Sequence, residues 1–193
     1  MSKGRLEAFS DGVIAIIITI MVLELAAPRS PWPSDLLPLV PKFLCYGLSF
    51  LFLGIYWTNH HHLLQAVTRV SGGVLWANLH LLFWLSLVPF ATAWMGVNQF
   101  ATWPVATYGT VLLLAAVAYY ILARTLVSLH GSASTIAQAL GADVKGRASI
   151  VIYAVAIAVS FVFAVVSCFL YLAVALLWLV PDRRIERTIG RRE

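Results

Sequence analysis

The sequence predicts an all-α integral membrane protein, a single domain of residues 1–193 that crosses the bilayer six times. Hydrophobic residues make up 61% of the chain and charged residues 11%, whereas a soluble domain has about 25% charged residues. The apolar residues come in long blocks, and a helix needs about 20 of them to cross a bilayer core of about 30 Å. The period-2 alternation that is typical of a membrane β-barrel is absent.

The apolar blocks predict the elements in chain order. The first block predicts a helix over residues 5–25. Five prolines between residues 28 and 41 then predict an external loop, because proline lacks the N–H that a helix needs. Short polar turns separate the next three predicted helices, over residues 43–64, 74–94 and 102–126.

The last apolar block, residues 148–180, is too long for one membrane crossing. As a single helix it would extend about 50 Å at 1.5 Å per residue. We therefore predict two helices, over residues 148–165 and 168–180, joined by a tight turn near Ser167.

The basic residues predict how the chain lies in the membrane. With six helices, only Arg29 and Lys42 fall on the side opposite the termini. Lysine and arginine concentrate in cytoplasmic segments, so both termini are predicted to be cytoplasmic, in the plasma (inner) membrane. The same placement, in short loops and at the C-terminus, argues against a nucleic-acid partner despite the net charge of +5. The residues on the terminal side are Lys3, Arg5, Arg69, Arg124, Lys145, Arg147, Arg183, Arg184, Arg187, Arg191 and Arg192.

One face of the first helix carries a repeating stripe. Gly12, Ile16, Thr19 and Leu23 are spaced 4, 3 and 4 residues apart and so share a face, with Ile20 beside it. If several copies met along this face, apolar rings would flank a ring of hydroxyl groups, and such apolar constrictions can gate ion flow by losing water. The same spacing is also common in ordinary helix packing, and by itself it does not choose between the two interpretations.

Charged residues begin and end the same helix. Arg5 and Asp11 lie six residues apart, about 240° around the helix, so each needs a partner elsewhere. The helix dipole alone would also favour Asp11 near the N-terminus, and Trp and His are common at membrane interfaces. The candidate partners at the same depth are Trp57, Asn59, His60, His61, Asn78 and His80.

No residue pattern predicts a catalytic group, a bound metal or a cofactor. Side chains of the consecutive residues His60, His61 and His62 point about 100° apart on a helix, so they do not converge on one ion. The G-x-S-x-G motif of serine hydrolases and the TVGYG filter of ordinary potassium channels are both absent. A small transporter or a histidine-dependent membrane enzyme remains an alternative, although the broken mid-membrane helices of many transporters are not visible.

Three motifs resemble the transmembrane protein 175 family, the lysosomal potassium channels and their prokaryotic homologues. The first, R-x-x-x-F-S-D, opens the first helix, and the second, W-x-N-H-H, ends the second helix. The third, N-x-x-x-L followed by P-F-x-T, lies in the third helix. They comprise Arg5, Phe9, Ser10 and Asp11, then Trp57, Asn59, His60 and His61, then Asn78, Leu82, Pro89, Phe90 and Thr92.

This resemblance implies a potassium-permeable channel without a pore loop, a homotetramer in the lipid bilayer and not an enzyme. The first helices would line the pore, with an apolar bottleneck at Ile16, Ile20 and Leu23 and a hydroxyl layer at Thr19. The motif residues would be structural, bonded to Trp, His and Asn of the neighbouring helices. We further predict that Glu24 attracts cations at the outer mouth.

Overall fold

A computed structural model describes residues 2–131, 133–140 and 143–179, and every regular element in these ranges is helical, as predicted. A 3-10 helix, Pro33–Leu39, lies in the proline-rich loop and leads directly into the second α-helix. The end of the last predicted helix, at Val180, and the basic tail lie outside the described residues. The α-helices are α1 Lys3–Leu23, α2 Val40–Gln65, α3 Gly72–Ser86, α4 Val88–Val97, α5 Thr102–His130, α6 Thr135–Leu140, α7 Val144–Ser160 and α8 Ala164–Leu179.

The third predicted helix is broken in the middle. Residues 74–94 were expected to be continuous, but α3 ends at Ser86 and α4 begins at Val88. Pro89 explains the break, because it has no N–H to bond the carbonyl four residues earlier. Together α3 and α4 still form one apolar segment of 26 residues, Gly72–Val97.

The turn between the last two helices lies earlier than predicted. Three exposed residues, Phe161 to Phe163, separate α7 from α8. Ser167, where the turn was expected, is fully buried inside α8 and donates a hydrogen bond to the carbonyl of Ala156 on α7 at 2.7 Å. The serine therefore marks a contact between two helices, because its hydroxyl group is satisfied across the interface.

Length and composition mark four segments of the described chain as able to cross a membrane. They are Lys3–Leu23, Pro33–Gln65, Gly72–Val97 and Thr102–His130. Helix α8 is apolar but has only 16 residues, which extend about 24 Å at 1.5 Å per residue. Helix α7 has 17 residues and carries Lys145 and Arg147 near its start.

Helix α5 lies at the centre of the bundle and α1 at an edge. Helix α5 packs against α3, α4, α7 and α8, whereas the main neighbours of α1 are α2, α3 and α4. The starts of α1, α3 and α7 lie on the same side of the bundle as the ends of α2, α5 and α8. Hydrogen bonds on this side join α1 to α2 and α3, α2 to α5, and α7 to α8. We call this side of the bundle the N-terminal end.

Buried hydroxyl groups connect three of the packed helices by hydrogen bonds. Thr92 donates to the carbonyl of Val88 at 2.6 Å, so Ser49 must be the donor in its 2.7 Å bond to Thr92. Tyr108 in turn donates to Ser49 at 2.9 Å. These three side chains connect α4, α2 and α5, and each finds a partner, as buried polar groups require.

Candidate ion pathway

Helix α1 has one buried and one exposed face. Its buried residues are Leu6, Ser10, Ile14, Ile17 and Met21. The predicted stripe lies on the other side, where Ile16 is 58% exposed, Ile20 45% and Leu23 77%. Gly12 and Thr19 are exposed on the same side. The described chain therefore leaves exposed the face of α1 on which all four predicted pore residues lie.

Thr19 is the polar position on this face. Its hydroxyl group donates to the carbonyls of Ala15 and Ile16, each at 3.0 Å. Since the proton is directed back to the helix, the lone pairs of the oxygen remain for a group outside the subunit. The residue therefore presents an acceptor on an otherwise apolar surface.

A buried hydrogen-bond network fixes the start of α1. Asn78 donates from Nδ2 to the hydroxyl oxygen of Ser10 at 3.0 Å and accepts from Nε2–H of His60 at 2.7 Å. Ser10 donates to the carbonyl of Leu6 at 2.9 Å. Ser10 and Asn78 are fully buried and His60 is 1% exposed. The network joins α1, α3 and α2, which are the three helices on which the sequence motifs lie.

A second, more exposed contact involves Asp11. The indole Nε1–H of Trp57 donates to the Asp11 carboxylate at 3.0 Å. The ring of His61 stacks on Trp57, with centroids 6.1 Å apart and planes at 22°. His60 and His61 thus have different partners, Asn78 and Trp57. The sequence motif alone did not show which partner each histidine has.

Three motif residues, and the candidate partner His80, take no part in these two contacts within the described chain. The side chain of Asn59 donates to the carbonyl of Ile55 on its own helix, and its backbone carbonyl accepts from Tyr119. His80 accepts from Trp84 on its own helix at 2.9 Å. Arg5 and Phe9 are exposed at the start of α1, and within the described ranges neither side chain makes the expected bond to a neighbouring helix.

A groove of about 690 Å³ runs between the exposed side of α1 and the α3–α4 segment. Sequence reasoning missed its far wall, although Phe90, Trp94 and Val97 follow the same 4, 3 spacing as the stripe on α1. Glu24 lies at one end of the groove and also lines a smaller pocket with Lys42. The residue predicted at the outer mouth therefore lies between this groove and a pocket that a basic residue also lines.

The described residues contain no group of three or more His, Cys, Asp or Glu side chains placed to hold a metal ion. Cys45 and Cys168 are free thiols. The site consists of the apolar exposed face of α1 and the outward-facing hydroxyl oxygen of Thr19. The hydrogen-bond network of Ser10, Asn78 and His60 holds this helix in position.

Comparison with known proteins identifies this arrangement. Residues 5–89 match the family described as endosomal/lysosomal potassium channel TMEM175. A potassium channel of Chryseobacterium sp. (strain P1-3) is 54% identical over 189 residues, 98% of each chain. A potassium channel of Streptomyces collinus is 40% identical over 95 residues, 47% of this chain and 46% of that protein.

Less similar proteins point to the same family. The human endosomal/lysosomal proton channel TMEM175 is 36% identical over 83 residues, 37% of this chain and 16% of that protein. The crystal structure of a lysosomal potassium-selective channel TMEM175 homolog from Chamaesiphon minutus superposes with a TM-score of 0.81 at 29% identity, covering 92% of this chain and 96% of that one. The chain therefore belongs to the TMEM175 family of multi-pass membrane channels, and it is not an enzyme.

Proposed function

We propose that four copies of this chain form a potassium-permeable channel in the plasma membrane, with the four α1 helices around a central pore. The observation that carries the proposal is the exposed face of α1, because a helix at the edge of a bundle can meet its copies directly. The potassium channel names of the Chryseobacterium and Streptomyces relatives support the choice of ion.

The bottleneck would lie at Ile16, Ile20 and Leu23. All three project from the subunit, with exposed fractions of 58%, 45% and 77%. Four copies of each would make successive apolar rings, and a narrow apolar ring excludes water and so resists ion passage. Small movements of α1 would then open or close the pathway.

Thr19 would supply the polar layer between these rings. Its hydroxyl hydrogen is already hydrogen-bonded to the backbone of α1. Four copies of Thr19 would therefore present oxygen lone pairs to a passing cation. Oxygen ligands of this kind replace part of the hydration shell of a potassium ion and contribute to selectivity. Conduction would be passive, driven by the electrochemical gradient, and would require neither a bound cofactor nor a covalent step.

We infer that α7 and α8 complete six membrane crossings and that both termini are cytoplasmic. Of the lysine and arginine residues that the structure describes, only Arg29 and Lys42 lie away from the N-terminal end. The six basic residues at that end are Lys3, Arg5, Arg69, Arg124, Lys145 and Arg147. This asymmetry is typical of a cytoplasmic side. Labelling of single cysteines introduced at residues 2 and 162 of a cysteine-free variant tests the topology, with only residue 162 reacting from outside intact cells.

The conduction proposal is tested by recording current from the purified protein in liposomes under a potassium gradient. We expect step-like current that reverses near the potassium equilibrium potential. Slow, saturating flux without single-channel events would instead identify a transporter. A proton gradient in the same vesicles measures proton conduction, the activity named for the human relative.

The pore assignment is tested by Ile16→Asn. A small polar side chain at the bottleneck should wet it and raise conductance or lower selectivity, because the apolar ring is interrupted. The matched control is Ile121→Asn, since Ile121 is also exposed, at 40%, but lies on α5. If Ile16→Asn changed neither conductance nor selectivity, Ile16 would not lie in the pathway.

A further inference from the structure

A groove away from α1 lies at the N-terminal end of the bundle, between the start of α3 and the last turns of α5. Its volume is about 560 Å³, within the range of roughly 300–1,000 Å³ that is typical of small-ligand sites. The two helices are close here, because a Cβ atom added to Gly73 would lie 3.9 Å from Cγ2 of Thr125. No residue of α1 lines the groove, so it takes no part in the proposed conduction path.

Arg124 is the charged residue of this groove. It is exposed on α5 and lies inside the apolar segment Thr102–His130, six residues before its end. In the part of the chain that the structure describes, its guanidinium group has no ion pair or hydrogen bond, and none of the residues that line the groove is acidic. Arginine in a membrane segment normally has a polar or charged partner, so Arg124 is available to an anion from outside the subunit.

Two serine hydroxyl groups at the groove can also donate hydrogen bonds. Ser71 accepts from the backbone N–H of Val74 at 3.3 Å, which leaves its own hydrogen available. Ser128 is exposed and has no hydrogen-bond partner among the described residues. A hydroxyl group rotates to suit its partner, and arginine forms strong charge-assisted hydrogen bonds with phosphate oxygens. The groove therefore combines one positive charge with two further donors, which suits a phosphate group.

The groove lies where a membrane segment meets the lipid headgroups. Ser71 directly precedes the apolar segment Gly72–Val97, and the 29 residues of α5 extend about 44 Å, beyond a bilayer core of about 30 Å. Towards the middle of α5, Val117 and Leu114 lie seven and ten residues before Arg124, on the same face, and both are partly exposed. A positive charge followed along the helix by an apolar surface matches a phospholipid better than a soluble phosphate.

We propose that this groove binds the headgroup of an anionic phospholipid of the phosphatidylglycerol type. Arg124 would bind the phosphate oxygens, Ser71 and Ser128 would donate to the headgroup, and an acyl chain would lie along Val117 and Leu114. A zwitterionic headgroup fits less well, because its ammonium group would meet Arg124 and find no carboxylate in the groove. Basic pockets between membrane helices are typical sites for such headgroups. The proposal needs only a membrane-embedded subunit and is independent of the pore assignment.

The test is native mass spectrometry of the full-length protein in detergent and phosphate-free buffer, with increasing amounts of phosphatidylglycerol. We expect one phosphatidylglycerol per chain to bind with about tenfold higher affinity than phosphatidylcholine with the same acyl chains. Glycerol phosphate, which has no acyl chain, should not compete. Equal affinity for the two lipids would contradict the choice of headgroup, and competition by glycerol phosphate at the same concentration would identify a soluble phosphate as the ligand instead.

Two variants locate the site. Arg124→Gln removes the charge and keeps a good helix former, so the affinity for phosphatidylglycerol should fall about tenfold, to that of phosphatidylcholine. Ser128→Ala removes one donor and should lower the affinity about threefold. Arg29→Gln is the matched control, since Arg29 is also an exposed arginine but lies away from the N-terminal end, and this variant should bind the lipid as the unaltered protein does.

Unchanged affinity in Arg124→Gln would overturn the proposal, because the lipid would then bind elsewhere. An equal loss in Arg124→Gln and Arg29→Gln would also overturn it, since net charge rather than the groove would then attract the lipid. Thermal unfolding gives a second measurement, because a ligand that binds the folded state stabilises it. Phosphatidylglycerol should raise the unfolding temperature of the unaltered protein more than that of Arg124→Gln. If Arg124→Gln did not fold, as judged by size-exclusion chromatography, Ser128→Ala would decide.

Discussion

Helices α1 and α5 are both long and apolar enough to cross a membrane, yet they are packed very differently. Five of the 21 residues of α1 are buried, against twelve of the 29 residues of α5. Helix α5 is in contact with five other helices, α3, α4, α6, α7 and α8, whereas α1 meets its neighbours along one side. The difference shows that the subunit is built around α5 and leaves α1 available for contacts outside it.

The side chains of the two helices differ accordingly. Helix α5 buries small residues such as Ala106, Gly109 and Ala118, which let neighbouring backbones approach closely. Helix α1 exposes the larger Ile16, Ile20 and Leu23. Substitutions on α5 should therefore act on the stability of the subunit, and substitutions on the exposed face of α1 should act on conduction.

The largest stability effect is expected for Gly109→Ala. An added Cβ atom would collide with the hydroxyl group of Tyr171, which donates to the carbonyl of Val105. Overpacking and loss of this hydrogen bond together should cost about 2–4 kcal/mol, which thermal unfolding in detergent would detect. Gly12→Ala on α1 is the matched control, since nothing lies within 4 Å of its added Cβ. An equal loss of stability in both variants would remove the distinction between the helices.

The next largest effect is expected for Asn78→Leu, which removes the buried hydrogen-bond network that joins the start of α1 to α2 and α3. His60 would lose its acceptor and Ser10 its donor, at a cost of about 1–3 kcal/mol. Asn98→Leu is the control, because Asn98 is exposed and donates to Trp94 on its own helix. We expect a lower unfolding temperature and altered gating for Asn78→Leu only. Normal gating would show that the network does not orient α1.

Thr19→Val should change selectivity without changing stability. Valine has nearly the same shape but offers no oxygen, so the preference for potassium over sodium should fall several-fold, as measured by reversal potentials under mixed-ion conditions. Thr110→Val is the matched control, since Thr110 also donates to its own helix, at the carbonyl of Ala106, but lies on α5. Identical selectivity in the unaltered protein and Thr19→Val would place the selectivity determinant elsewhere.

The smallest effect is expected for Trp57→Phe, which removes the hydrogen bond to Asp11 and keeps an aromatic ring beside His61. The pair is exposed, so the loss should be less than about 1 kcal/mol, visible as a small decrease in unfolding temperature. Trp76→Phe is the control, because Trp76 is 75% exposed and should have no effect. A decrease as large as that of Asn78→Leu would make Asp11 the principal anchor.

Much of the fold followed from hydrophobic block length and proline placement. Residues 102–126 were assigned correctly within a longer helix, and the proline-rich segment proved to be a loop containing a 3-10 helix. The turn between the last two helices was misplaced because Ser167 resembles a turn residue, whereas its hydroxyl bonds across to Ala156. The motif residues Ser10, Asp11 and Asn78 could be selected from the sequence, but their pairing could not, because it depends on how three helices meet.

The sequence by itself determined that the chain is an all-helical membrane protein and that Gly12, Ile16, Thr19 and Leu23 share one face of α1. It did not determine that this face is exposed, because Ile14, Ile17 and Met21 on the opposite face are equally apolar. In a helix that is apolar on all sides, hydrophobic periodicity carries no information about burial. Only the packing of α2, α3 and α4 against Ser10 and its neighbours decided which face of α1 stays exposed.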